Sequence, residues 1–222
     1  MKTIYNVYEG LLKGQKSTLD NGEEAIFEVI EEFLKENYNG KWIISKKPNK
    51  DGLYEVSSNE NIKVKNTNIT SLTNGLFIWT SVKGNFNCSG CKSLKTLEGA
   101  PEEVEGDFSC YDCNLLKTLE GSPKEVGGYF SCYDCNLLKT LKGAPEDVEG
   151  GFYCSYCEEL KSLKGAPEYV GGNFSCHSCN LLKTLDGAPE EVGGDFSCFN
   201  CGKVFSEDDI KKVSNINGNI YC

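Results

Sequence analysis

The residues best suited to chemistry in this chain are its cysteines. Six Cys-x-x-Cys pairs run from Cys88/Cys91 to Cys198/Cys201. Two such pairs can supply four thiolates to zinc, the donor set of a structural metal site. The spacing between pairs points elsewhere, because each pair recurs at the same place in a longer repeat. On that reading the first cysteine is an inward strand position. The second sits where a small polar group can bond turn backbone, and both pack as small hydrophobes. A cysteine ladder without metal or other cofactor is the preferred reading, and a zinc-binding or metal-sensing array is the alternative.

No other constellation suggests catalysis. His177 is the only histidine, and it stands where sister units carry Tyr111, Tyr133, Ser155 and Phe199. No GxSxG, HExxH or phosphate-loop sequence supplies a nucleophile, base and oxyanion donor together, so a non-enzyme is expected. The acidic pairs Glu102/Glu103, Glu146/Asp147 and Glu190/Glu191 recur in a return loop and read as a solvated edge that keeps the array soluble.

Self-comparison finds a 22-residue unit written five times without a gap, from Gly84 (GNFNCSGCKSLKTLEGAPEEVE) to Gly193. The pattern is GxFxCxxCxxLxxLxGxPxxV. In Phe108, Ser109, Cys110 and Tyr111 apolar and polar residues alternate, so a short strand points Phe108 and Cys110 to one side. Cys113, Leu116 and Leu119, three apart, suit a tight turn across the core. Gly121 and Pro123 turn the chain back, and Val126 closes the coil. No unit can bury its apolar face alone, so the units must stack into a parallel sheet.

FxCxxCxxL resembles the LxLxxCxxL core of leucine-rich repeats, in the variant with cysteine at the usual asparagine position. The resemblance covers roughly Gly84 to Val204 and implies a curved solenoid whose sheet lines a concave, protein-binding face. The fixed prolines, Pro101 to Pro189, leave little room for a convex helix. Short Gly-Ala-Pro repeats of this kind are similar to those of uncharacterised bacterial and bacteriophage proteins, which would suit an inhibitor of a host defence enzyme.

The expected fold class is thus an α+β N-terminal cap followed by a parallel-β leucine-rich-repeat-like solenoid. Residues 1–60 form the cap domain, 61–83 an irregular first repeat, 84–205 the regular array and 206–222 the C-terminal cap. In the first segment Asn21 reads as a helix cap with Glu24 three residues later, and Ile26, Ile30, Phe33 and Leu34 share one face up to Gly40. Trp42 to Ile44 and Leu53 to Val56 read as two strands joined through Asn49, Asp51 and Gly52. Ile62, Val64 and Leu72 mark the damaged repeat, and Leu76 to Trp79 an irregular apolar loop. Ser206 and Asp209 form a capping box for a helix through Ile210 and Val213, and Gly218 to Cys222 echoes the start of another unit.

The 222 residues carry 33 acidic and 23 basic side chains, a formal net charge of −10. That balance disfavours nucleic acid and anionic lipid as partners. No stretch is apolar enough to span a bilayer and the opening MKTIYNVYEG lacks a signal-peptide core, so a cytoplasmic protein with its 13 cysteines as thiols is expected. The remaining candidate for function is the outward side of the strand. Asp107, Tyr111, Tyr129, Tyr133, Tyr153, His177 and Phe199 place aromatic anchors among small polar residues, the composition of a protein-binding surface. Cross-strand stacking that merely stabilises the sheet, in a structural spacer, is the competing reading.

Overall fold

The computed structural model describes residues 22–222. Each 22-residue unit forms one coil of a parallel β-solenoid, because its inward residues have no partner except the same residues one coil away. Phe86 pairs in register with Phe108, and Phe108 with Phe130; the series continues through Phe152 and Phe174 to Phe196. Their rings stack at centroid spacings of 5.7, 5.1, 5.2, 5.8 and 5.1 Å. Cys, Leu and Val of each coil are buried beside them, as in Cys110, Cys113, Leu116, Leu119 and Val126. Truncating one such Phe to Ala leaves a cavity costing about 3–5 kcal/mol.

The return segment departs from the expected turn. It carries a second strand in every coil, Glu103–Val104, Glu125–Val126, Asp147–Val148, Tyr169–Val170 and Glu191–Val192. These pair in register, Val104 with Val126 and onward to Ile216. Two nine-stranded sheets therefore face one another across the core, one built on the phenylalanines and one on the valines. The glycine of the Gly-Ala-Pro turn makes this closure possible. Gly143 has φ +92°, and a Cβ there would lie 2.5 Å from the backbone nitrogen of Glu120 in the preceding coil. Only glycine fits both demands.

The array begins earlier than the regular repeats. Tyr54–Ser58 and Phe77–Val82 are parallel neighbours in the Val sheet, and Ile62–Val64 pairs with Phe86–Asn87 in the Phe sheet. The boundary expected at residue 60 thus falls between the two strands of the first coil. Within Leu76 to Trp79, expected as an irregular loop, Phe77 instead opens the longest strand, Phe77–Val82, with Phe77, Trp79 and Val82 buried. Both sheets end in a reversal: Tyr38–Asn39 runs antiparallel to Ile62–Val64, and Ile43–Ile44 antiparallel to Tyr54–Ser58. Antiparallel edge strands interrupt the template that a parallel stack would offer to further chains.

The N-terminal helix, Gly22–Asn37, buries Ile30 and Leu34 with Ile26 and Phe33 packed alongside, as the sequence spacing requires. Asn21, its expected cap, lies outside the described residues. The two-strand reading of Trp42 to Val56 holds; Asn49 Oδ1 accepts from the backbone nitrogens of Asp51 (3.0 Å) and Leu53 (3.1 Å) in the connecting turn. At the other end Ser206 and Asp209 form the capping box of a short helix, Glu207–Lys211, that buries Ile210. Val213 lies beyond this helix and is exposed. Ile220–Tyr221 continues the Phe sheet, as the echo of a further unit suggests.

Candidate partner-binding face

The thiols occupy the core and follow one rule. The second cysteine of each pair donates to the carbonyl of the first cysteine one coil back: Cys113 to Cys88 (3.2 Å), Cys135 to Cys110 (3.3 Å), Cys157 to Cys132 (3.3 Å), Cys179 to Cys154 (3.3 Å) and Cys201 to Cys176 (3.2 Å). All thirteen cysteines are free thiols, and eleven are buried. Burial pushes the Cys154 and Cys132 thiols well above their ordinary range, which opposes the thiolate that a metal requires. Among the described residues no group of three or more His, Cys, Asp or Glu side chains is placed to hold a metal ion. In this structure the thiols are hydrogen-bonded from coil to coil rather than grouped as ligands.

On the side of the Phe strand away from the core run three rows, at the residue before the phenylalanine, the residue after it, where Ser109 and Ser131 are buried, and the residue after the first cysteine. In the third row ring contacts run from coil to coil, tilted or edge to face except at the last. Tyr111 lies 5.5 Å from Tyr133, and Tyr133 lies 5.0 Å from Tyr156. Tyr156 in turn lies 5.2 Å from His177, which stacks on Phe199 at 4.5 Å with ring planes 4° apart. One aromatic ridge therefore crosses five coils, with Tyr111, Tyr156 and Phe199 exposed by 41%, 43% and 39%.

Tyr156 was not among the residues singled out from sequence. In its coil the usual row position is Ser155, which is fully buried, and the ring comes from the next residue. That next position is left-handed in every unit: Gly90 has φ +73°, Asp112 +57°, Asp134 +59°, Tyr156 +59°, Ser178 +58° and Asn200 +54°. Gly, Asp and Asn tolerate this region, whereas a bulky residue there is an outlier. The ridge is kept continuous by a tyrosine held in a strained backbone.

Tyr129 and Tyr153 form a separate pair nearer the sheet's other side, edge to face at 5.9 Å. A Cβ on Gly151 would lie 2.6 Å from the Tyr153 hydroxyl, so that side chain folds back over the glycine. Asp107 is half-buried and belongs to a ladder: its Oδ1 accepts from the Tyr129 backbone nitrogen (3.0 Å), while its own nitrogen donates to Asn85 Oδ1 (2.8 Å). Asn173 and Asp195 repeat the arrangement, Asp195 accepting from Asn219 at 2.7 Å. At least one Asp107 oxygen thus serves the coil-to-coil connection.

Burial lowers the pKa of His177, so the imidazole is neutral at pH 7, and its Nδ1 lies 3.2 Å from Ser178 Oγ. Burial, with Tyr156 next in effect, raises the Tyr133 phenol above its ordinary value, so this ring keeps its proton.

Each acidic pair straddles the end of the return loop: Glu102, Glu146 and Glu190 lie in the bend, and Glu103, Asp147 and Glu191 open the strands of the opposite sheet. Glu103, Glu125 and Asp147 are exposed, in-register neighbours on the Val strands. Lys124 and Lys142 relieve this repulsion only at its margin, pairing with Glu102 (3.4 Å) and Glu120 (2.6 Å).

These features define a parallel β-solenoid with an aromatic ridge on one sheet. No helix among the described residues is long and apolar enough to cross a membrane. Comparison of the chain with family models, with curated proteins and with solved structures finds no match.

Proposed function

We propose that the chain is a non-catalytic binding module that captures another protein on its Phe sheet, with the ridge Tyr111, Tyr133, Tyr156, His177 and Phe199 as its anchor. The observation that carries this reading is the placement of Tyr156. A left-handed backbone costs a bulky residue about 1–2 kcal/mol, and ring contacts with Tyr133 and His177 return about 0.5–1.5 kcal/mol each. The two effects nearly cancel. Stability alone therefore gives little reason for a tyrosine where sister coils carry Asp, Ser or Asn, while continuity of an exposed aromatic surface gives a direct one. Strain of this kind, found first and interpreted second, is a pointer to function.

The ring geometry favours a protein over a sugar or a base. His177 and Phe199 cover each other's faces, and the tyrosines lie against their row neighbours. Within the row a ligand meets ring edges and phenol hydroxyls, suited to apolar contact with hydrogen bonds rather than to face stacking. The likeness of FxCxxCxxL to leucine-rich repeats supports the same reading. Inhibition of a host defence enzyme is the form this activity takes if the kinship with bacteriophage repeat proteins holds.

The test is Tyr156→Asn. Asn suits the left-handed backbone, so urea denaturation should change by no more than about 1 kcal/mol. Affinity for a protein captured from the native host should fall by about thirtyfold, the loss of an anchor worth about 2 kcal/mol. A stability loss above about 2 kcal/mol with unchanged affinity would make the ridge a brace for the sheet.

A further inference from the structure

We infer that the partner presents lysine and arginine side chains, as an extended basic segment lying along the ridge from coil to coil. This rests on the ridge being the binding face and adds the chemistry of what binds there. Carboxylates accompany the ridge on its turn side through its first three coils, whereas the His177 and Phe199 coils carry Ser178, Asn180 and Asn200 there. Asp112 follows Tyr111, Asp134 follows Tyr133, and Glu158 stands two residues after Tyr156. The Tyr156 coil carries Glu158 and Glu159 where its two preceding sisters have Asn114 and Leu115 or Asn136 and Leu137, so acid is added where the strained ring is added. On the other side of the strands stand Asp107 and Asp195. Among the described residues one ion pair involves these carboxylates, Lys92 with Asp112 at 2.7 Å, at the first coil of the ridge.

Strands repeat every 4.8 Å or so across a sheet and residues of an extended chain every 3.3 Å or so, so a segment along the Tyr111 to Tyr156 half of the ridge passes one carboxylate every residue or two. Cationic side chains with long apolar stems can lie across ring edges and reach those carboxylates. Other occupants fit less well. A second copy of this chain brings a net charge of −10 to meet −10, and a nucleic acid brings phosphates to the same field. The ridge is aromatic and its first three coils are flanked by carboxylates, which selects a basic polypeptide.

The experiment uses the full chain and three labelled peptides, alternating Arg/Leu, Ser/Leu and Glu/Leu, followed by fluorescence anisotropy. The Arg/Leu peptide should bind at least tenfold tighter than the other two and weaken by about tenfold between roughly 50 and 500 mM NaCl. Asp134→Asn with Glu158→Gln should weaken it about fivefold or more without loss of fold, and Tyr156→Asn should weaken it too. Glu125→Gln with Asp147→Asn, which removes as many charges from the Val sheet, should leave it unchanged. Equal binding of the Ser/Leu peptide, lost in Tyr156→Asn, would overturn the basic partner while leaving the ridge as the binding face. Binding of the Arg/Leu peptide that follows the Val-sheet variant instead would overturn both.

Discussion

Raising the pH should unfold this protein through its own core. Cys110, Cys132, Cys154 and Cys176 are completely buried in the middle of the array, and each holds its proton well above the ordinary thiol value of 9.0. For Cys132, Cys154 and Cys176 desolvation is the main cause; for Cys110 the hydrogen bond with Cys135 leads and desolvation follows. A folded-state pKa above the unfolded one means that the folded chain keeps protons the unfolded chain releases. The stabilisation is complete below about pH 8 and is lost as pH rises through and beyond 9. At pH 10 the unfolded state gains about 1.4 kcal/mol per thiol, so four thiols remove about 6 kcal/mol. That is a large part of the 5–15 kcal/mol typical of a folded domain. Urea denaturation under strong reductant at pH 7, 8, 9 and 10 measures it, and Cys154→Ala should recover roughly a quarter of the loss. Stability that stays flat between pH 8 and 10 would refute the reasoning, because only thiols open to solvent in the folded state could ionise alike in both states.

Cys132→Ser and Cys135→Ser should differ: a serine hydroxyl at 135 can still donate to the Cys110 carbonyl and should cost under about 1 kcal/mol, whereas the one at 132 enters an apolar ladder and should cost about 1–3 kcal/mol. Urea midpoints of the two variants check this, and equal losses would contradict the division of roles within each pair. Deleting one unit, Gly128 to Glu149, should give a folded protein that melts cooperatively at a somewhat lower temperature, because the surfaces brought together repeat those removed. Circular dichroism and a thermal melt decide it, and an unfolded product would contradict the stacking.

Much of this architecture can be read from the chain because the repeat writes each inward position five times over. Phe108, Cys110 and Leu116 need no structure to be assigned to the core once Phe130, Cys132 and Leu138 are seen at the same spacing. The second strand is less visible for a physical reason. Glu125–Val126 is two residues long and sends one side chain inward, so alternation has no room to appear, and the adjoining Gly and Pro read as turn. Phe77–Val82 hides differently: Leu76 to Trp79 is a solid apolar run, and its pairing slips in register opposite Val56 and Ser57, which breaks the period.

The candidate face was legible as a set of outward aromatic positions but not as a continuous object. Aligning the units column by column assigns Ser155 to the row and Tyr156 to the left-handed turn, since columns record chain position and not where a ring ends. The signal was nevertheless present in the column itself. Its other occupants, Gly90, Asp112, Asp134, Ser178 and Asn200, are small or suited to positive φ, and Tyr156 alone is neither. In a repeat protein the stacking fixes the backbone at each column, so a residue that fits its column badly has not been chosen by that column. It answers to something across the coils, and here the ridge running from Tyr133 to His177 supplies it.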